Sequence, residues 1–131
     1  MFLGIAMSLF GRADDEVTGL DRVVQAIEAV ENSPWSSQGG GLQFKPVAWF
    51  EETTQPYHLA NNRDFARQMA VQRLGRQAQR LREAGITPTP YILGSIWNKG
   101  WQGALKTMRS GKLDPYGERV HNYFHAYTTD K

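Results

Sequence analysis

Apolar residues recur at the spacing of one helical face from Leu20 onward. Successive members lie three or four positions apart, as in a helix with one buried side. The stripe comprises Leu20, Val23, Val24, Ile27 and Val30. Thr18 with Asp21 three residues later resembles a capping box, and the run Asn32-Ser33-Pro34 does not continue a helix. The pattern therefore predicts a first helix from about Leu20 to Glu31.

Four further stretches show helical spacing, with start and stop signals at their ends. The predicted helices run from after Asn62 to about Glu83, from Pro90 to about Asn98, through residues 104–108, and onward from Pro115. Residues 36–59 lack a clear period and contain three consecutive glycines, so we expect a loop-rich lobe, in which a small hairpin stays open. The predicted fold is mainly α: a single domain with a small irregular or β lobe.

The composition agrees with one globular domain and reduces the number of partner classes that we expect. The chain has 131 residues, 40% of them hydrophobic, which is enough for a core. The formal net charge is only +2 and no Lys/Arg run outlines a nucleic-acid groove, so nucleic acid is not an expected partner. The absence of cysteine excludes disulfides and thiolate metal sites. We predict no membrane span and expect a monomer.

The first 17 residues are interpreted as a segment apart from the domain, which covers residues 18–131. The apolar run Phe2 to Phe10 and the small-residue cut site Gly11-Arg12-Ala13 resemble an export signal, although no basic residues precede the run. The same run also fits a helix stripe through Phe2, Ile5 and Leu9. We favour an incomplete or atypical export signal, and with it a periplasmic or secreted location.

An acidic residue occupies a position of the first helix where the pattern asks for an apolar one. At about 100° per residue, Glu31 falls within the stripe. A carboxyl there either reaches solvent at the helix end or is partly desolvated, and desolvation raises the pKa of a carboxyl group. A carboxyl that stays protonated near neutral pH is what a general acid in glycoside cleavage needs. Both interpretations remain open at this point.

Other residues also allow more than one interpretation. The glycines at 39–41 allow close approach of a ligand or of another segment, or form a flexible turn. Four tryptophans, at 35, 49, 97 and 101, fit either sugar stacking or core packing. His121 and His125 are spaced for one helix face, but no third ligand is evident, so neither a metal nor an organic cofactor is expected.

The order of these pieces resembles the lysozyme-like lytic transglycosylases of glycoside hydrolase family 23, the SLT domains. In that family an acidic Glu ends a helix, and a Gly-Leu-x-Gln-x-x-Pro phrase, a Tyr-Asn-x-Gly phrase and a late Tyr-containing phrase follow. Asn32 stands where Ser is usual, with Ser33 next, and the stretch from Glu31 to Gln43 is shorter than the common pattern. The matches are Glu31, then Gly41, Leu42, Gln43 and Pro46, then Trp97-Asn98-Lys99-Gly100 with Trp in place of Tyr, then Asn122-Tyr123-Phe124.

The resemblance, which covers about residues 20–127, implies a lysozyme-like fold. It also implies cleavage of the MurNAc-β-1,4-GlcNAc bond of peptidoglycan strands to give 1,6-anhydro-muramyl products. Glu31 would be the general acid and base. The residues implied to bind substrate are Ser33, Gln43, Phe44, Trp97, Asn98 and Tyr123.

Three alternatives stay open. A hydrolytic lysozyme would need a second carboxylate, for which Glu51, Glu52 and Asp64 are the nearby candidates. A non-catalytic peptidoglycan-binding or assembly module would keep the cleft without the chemistry. A small helical interaction protein would carry the motifs by chance.

Overall fold

The computed structural model describes residues 13–129, and the side chains of residues 19–127. Within this range five α-helices and two 3-10 turns are present and no strand is found. The predicted mainly α class is therefore confirmed, and the small lobe is irregular and helical without a hairpin. The helices are α1 (Ala13–Glu31), α2 (Pro46–Glu52), α3 (Arg63–Glu83), α4 (Pro90–Arg109) and α5 (Pro115–Thr129), and the 3-10 turns are Gly40–Leu42 and Tyr57–Asn61.

The first helix begins earlier than its apolar stripe. It starts at Ala13, so Thr18 is an interior position and the predicted N-cap there is wrong. The preceding residues Asp14, Asp15 and Glu16 are acidic, and negative charge is favourable near a helix N-terminus. The proposed division between residues 17 and 18 falls inside α1. The apolar run before Gly11 and the export-signal interpretation lie outside the described residues.

The hydrophobic core joins the inner faces of α1, α3, α4 and α5 with apolar residues of the lobe, among them Phe44 and Trp49. Helix α1 packs against both α3 and α5, and α4 packs along α5. The predicted stripe of α1 contributes its central residues, and α3 presents mainly alanines, which allow close helix packing. Fully or almost fully buried members include Val23, Val24, Ile27, Ala66, Ala70, Leu74, Leu81, Ile92, Val120 and Trp49.

The predicted boundaries of α3 and the start of α4 are confirmed. The Asn62 side chain accepts a hydrogen bond from the Phe65 backbone N–H at 2.9 Å, as an N-cap does. Thr89 does the same for α4, with Pro90 at the first helical position. The division predicted at Gly100 is present, because Gly100 has the non-helical angles φ 84° and ψ 168°. The helical parts before and after it follow each other without a loop and are together called α4.

The lobe, residues 32–62, contains a short helix that the sequence pattern did not reveal. Helix α2 starts with Pro46 at its first position and buries Trp49 completely. The indole Nε1 of Trp49 donates to the Gln55 carbonyl at 2.9 Å. With only seven residues, α2 is too short to show a helical period in the sequence. Its burial of Trp49 attaches the lobe to the helical body.

Candidate active site

A cleft of about 630 Å³ lies between the lobe and the helical body. Its walls come from the end of α1, the loop through the triple glycine, the start of α2, the middle of α3 and the first half of α4. One wall is aromatic and the remainder is mostly polar. The lining residues are Glu31, Ser37, Gln38, Gln43, Phe44, Lys45, Pro46, Ala48, Tyr57, Arg73, Trp97 and Asn98.

Glu31 is the last residue of α1, and the backbone turns away immediately after it. Asn32 adopts a left-handed conformation, φ 48°, and its N–H donates to the Glu28 carbonyl at 2.9 Å. Asn is one of the few side chains that tolerate this conformation at a helix C-terminus. Ser33 Oγ donates to the Glu31 carbonyl at 3.2 Å. The abrupt end leaves the half-buried Glu31 side chain on the cleft wall.

A tyrosine from α5 holds the Glu31 carboxylate. Tyr116 Oη donates to Glu31 Oε2 at 2.6 Å, and the Tyr116 side chain is buried. Burial, together with the hydrogen bond to Glu31, raises the pKa of the Tyr116 hydroxyl far above its ordinary value. Tyr116 therefore remains a hydrogen-bond donor throughout the physiological pH range and fixes one oxygen of the carboxylate.

The start of α5, which carries Tyr116, is itself anchored. Buried Asp114 accepts from the Gly117 backbone N–H at 3.1 Å and pairs with Lys99 Nζ at 3.1 Å. Its own N–H donates to Tyr91 Oη at 2.7 Å. Burial alone would raise the pKa of Asp114, but hydrogen bonds from Lys99 and Gly117 outweigh it and lower the pKa. The bonds of Asp114 therefore fix the backbone at the start of α5, two residues before Tyr116.

The triple glycine brings the loop backbone against other parts of the protein. A Cβ on Gly40 would lie 1.9 Å from the Ala60 carbonyl oxygen, and one on Gly41 would lie 2.4 Å from the Trp35 ring. Of the three interpretations left open by the sequence, close approach of another segment is therefore the one observed. The buried glycines form the floor from which the polar residues of the loop project.

Gln43 holds this loop together from the inside. Its backbone is left-handed, φ 54°. Its Nε2 donates to Ser37 Oγ at 3.1 Å and to the Gly40 carbonyl at 2.8 Å. A third bond reaches the Gln38 carbonyl at 3.2 Å. All three bonds use the amide nitrogen, so Gln43 lines the cleft while fixing the residues on either side of it.

Trp35 covers the other face of the glycine loop. Its indole Nε1 donates to Glu28 Oε2 at 3.0 Å, and Glu28 also pairs with Arg63 at 3.3 Å. Asn61 Nδ2 donates to the Trp35 carbonyl at 2.6 Å. Glu28 therefore positions the ring on which Gly41 rests, although it does not line the cleft.

The aromatic wall of the cleft is built by Phe44 and Trp97. Their rings meet edge to face with centroids 5.0 Å apart, and Phe44 meets Trp49 in the same way at 5.2 Å. Of the four tryptophans, only Trp97 lines this cleft. Trp49 is in the core, Trp35 packs on the glycine loop, and Trp101 lies under Arg80 on another surface.

Five of the seven predicted site residues meet in the cleft: Glu31, Gln43, Phe44, Trp97 and Asn98. The other two are not among its lining residues. Ser33 is occupied at the end of α1, as described above. Tyr123 lies seven residues beyond Tyr116, about 10.5 Å further along α5, where its half-exposed ring stacks on Tyr127 at 6.2 Å.

The sequence did not reveal several residues that line the cleft or contact Glu31. Tyr116 is 85 residues from Glu31, so no local pattern joins them. Tyr57 lines the cleft and donates its hydroxyl to the Phe44 carbonyl, and burial raises the pKa of that hydroxyl. Lys45 and Arg73 add two cations. The position of Lys45 directly after Phe44 was an available signal.

Glu31 is the only carboxylate that lines the cleft within the described part of the chain. Glu52 is buried under Arg73 and Arg76, with Arg73 Nη1 at 2.9 Å. Burial alone would raise the pKa of Glu52, but hydrogen bonds from Arg76 and Arg73 lower it overall. Glu51 pairs with Arg73 at 2.8 Å, and Asp64 belongs to a different surface depression.

No cluster of three or more His, Asp or Glu side chains among residues 19–127 is arranged to hold a metal ion. His121 and His125 are exposed neighbours with ring centroids 4.3 Å apart. None of the described helices combines the length and apolarity that crossing a membrane requires.

Comparisons with models of protein families, with characterised proteins and with solved structures found no match to this chain.

Proposed function

We propose that this protein is a peptidoglycan lytic transglycosylase that acts on the MurNAc-β-1,4-GlcNAc bond, with Glu31 as its acid and base. One observation carries the proposal: a single carboxylate, Glu31, lines a cleft large enough for sugar rings and is held there by a buried tyrosine. The motif residues Gln43, Trp97 and Asn98 line the same cleft, although the last two are more than 50 residues away from Gln43 in the sequence. The substrate is extracytoplasmic, and so is the proposed location.

The proposed reaction needs one carboxyl group in two protonation states. Protonated Glu31 gives its proton to the glycosidic oxygen as the bond from the muramyl C1 to that oxygen breaks. The muramyl 6-hydroxyl then attacks C1, and its proton returns to the Glu31 carboxylate. The products are a 1,6-anhydro-muramyl end and a free GlcNAc 4-hydroxyl. Tyr116 leaves Glu31 Oε1 as the oxygen that is free to exchange the proton.

The remaining cleft residues fit sugar recognition. The Trp97 ring and the edge of Phe44 offer an apolar wall, on which the less polar face of a sugar ring can pack. Asn98 and the amide oxygen of Gln43 are suited to hydroxyl and acetamido groups. Lys45 is suited to the carboxylates attached to muramyl sugars, whereas Arg73 already pairs with Glu51 and Glu52.

A hydrolytic lysozyme is the second candidate for the same cleft. It would need a second carboxylate to activate water or to form a covalent intermediate. Glu51 and Glu52 are engaged by arginines, and neither lines the cleft, which favours the one-carboxylate route. A binding module without catalysis uses the same walls and differs only in leaving peptidoglycan intact.

Digestion of purified peptidoglycan, with mass spectrometry of the released products, tests the proposal. The expected products are anhydro-muropeptides. Products with reducing muramic acid would instead identify a hydrolase. Intact peptidoglycan that retains bound protein would identify a binding module. If the protein neither binds nor cleaves peptidoglycan, it would be an interaction protein whose motifs match by chance.

The substitution Glu31→Gln tests the assignment of the acid. It keeps the shape of the side chain and removes the proton donor, so turnover should fall by about 10²–10⁴-fold. Glu28 is an unsuitable control because its carboxylate positions Trp35. The exposed Glu83, at the end of α3 and outside the cleft, is the matched control, and Glu83→Gln should keep wild-type turnover.

A further inference from the structure

A second groove, here called the basic groove, lies between the end of α3 and the second half of α4. Its volume is about 530 Å³. It is lined by Arg80, Trp101, Gln102, Leu105, Lys106 and Arg109. Three of these six residues are cations and none is acidic. Since the formal net charge of the whole chain is only +2, this groove concentrates more positive charge than the chain carries overall.

The three cations are not neutralised by neighbours in the described part of the protein. Arg80 places its guanidinium 4.0 Å from the centroid of the Trp101 ring, a cation–π contact that leaves its charge uncompensated. Lys106 and Arg109 are exposed and make no ion pair with residues 19–127. A cation-lined concavity of this kind attracts anions.

A row of arginines leads from the candidate active site to the basic groove. Arg73, Arg76 and Arg80 follow one another along one side of α3, and seven residues span about 10.5 Å of helix. Arg73 lines the cleft and Arg80 lines the basic groove. The first two are paired with Glu51 and Glu52, so the uncompensated charge begins at Arg80. The cleft and the basic groove therefore reach α3 at residues about 10.5 Å apart along the helix axis.

We infer that the basic groove binds carboxylate groups carried by the glycan polymer at a distance from the bond in the cleft. This inference rests on the proposed function, because it takes the peptide-bearing glycan as the ligand. The stem peptides of such a polymer recur along the strand and carry carboxylates. Guanidinium groups bind carboxylates through paired hydrogen bonds, and two of the three cations are arginines.

The walls of the groove argue against other polyanions. A nucleic-acid strand would stack its bases on an open aromatic face, whereas the Trp101 ring is covered by Arg80. A lipid surface would need exposed apolar side chains to insert, whereas Leu105 is only 5% exposed. Carboxylates on a polar polymer need neither feature.

Sedimentation with insoluble peptidoglycan tests the inference. The full chain carrying Glu31→Gln is used so that the ligand is not consumed, and it is mixed with native peptidoglycan or with peptidoglycan whose carboxylates have been converted to amides. Native material should bind more tightly. Adding Lys106→Gln and Arg109→Gln should weaken binding to native peptidoglycan by about 2- to 30-fold. Binding to the amidated form should change much less, so the preference for native material should shrink.

A second double substitution, Arg22→Gln with Lys112→Gln, is the control. It removes the same charge from positions that line neither the cleft nor the basic groove, and it should keep the preference for native peptidoglycan.

The results separate this inference from the proposed function. Equal binding to native and amidated material, or an equal loss in the control variant, overturns the basic groove as a carboxylate site. Displacement of peptidoglycan by a lower concentration of a single-stranded oligonucleotide than of soluble muropeptides also overturns it. The proposed enzymatic function is tested by a different measurement, the release of products by the wild-type protein, and fails if no products are released.

Discussion

The energetic cost of the close approach between Gly40 and Ala60, within the lobe, can be measured by one substitution and one control. Gly40 has φ +70°, and a Cβ there would lie 1.9 Å from the Ala60 carbonyl oxygen. Gly85 has nearly the same backbone angle, φ +78°, with nothing within 4 Å of its Cβ position. Gly85→Ala therefore reports the backbone cost alone, and Gly40→Ala reports the same cost with the close approach added.

The two costs are of different size. A left-handed alanine costs roughly 1–2 kcal/mol, partly offset by about 0.4–1 kcal/mol because alanine restricts the unfolded chain. Gly85→Ala should therefore lower the free energy of unfolding by about 1 kcal/mol. At position 40 the Ala60 carbonyl must also move by about 1.5 Å to reach an ordinary contact of 3.4 Å. Overpacking of that kind adds about 1–3 kcal/mol, so Gly40→Ala should lose about 2–4 kcal/mol.

Urea unfolding followed by tryptophan fluorescence measures both values. The midpoint should fall further for Gly40→Ala than for Gly85→Ala, at equal slopes, since the slope reports the surface exposed on unfolding. Cleavage of peptidoglycan should also fall in Gly40→Ala at a temperature where it is folded, because Gln43 is bonded to the Gly40 carbonyl. Loss of equal free energy in the two variants would refute the argument from close approach.

Three further predictions follow from the described contacts. Tyr116→Phe should lower the free energy of unfolding by about 1–2 kcal/mol, measured in urea, and reduce kcat more than KM, because Glu31 loses its orienting donor. An unchanged kcat would remove Tyr116 from the site. The lowered pKa values of Glu52 and Asp114 stabilise the folded protein above the ordinary carboxyl pKa, so thermal stability should decline as the pH falls below about 5 and through their folded pKa values. Glu52→Gln should make this decline less steep, and a decline as steep as that of the wild type would show that Glu52 does not contribute to it. Asn62→Ala should cost about 1 kcal/mol through loss of the N-cap of α3, and a melt identical to wild type would contradict it.

The sequence predicted the features that depend on residues close together in the chain. The stripe of α1 and the capping residue Asn62 each act within one or two helical turns, so the side chains nearby specify them. The α1 start was misplaced because the helix continues through polar residues before Leu20. Helix α2 was missed because Trp49 and Pro46 are too few positions to establish a period.

The candidate site was predictable where a residue type stands out against its neighbours. Glu31 interrupts an apolar stripe, and Gln43 sits in an apolar phrase beside glycines. Tyr116 carries no such mark, since its contact with Glu31 depends on how α5 crosses the end of α1. The motif order pointed to Tyr123, which is not among the residues that line the cleft, whereas Tyr116 bonds to Glu31. Tertiary packing, and no local pattern, determines which tyrosine of α5 reaches Glu31.

Gly100 has a consequence for how this protein tolerates mutation. No atom lies within 4 Å of its Cβ position, yet its angles, φ 84° and ψ 168°, belong to a region that other residues essentially never adopt. In a straight helix Trp97 and Trp101 would share one face, whereas here they line different depressions. A scan of every substitution at every position should therefore find position 100 intolerant despite its empty surroundings. Its neighbours on either side would then be free to diversify as two independent sets, one for each binding surface.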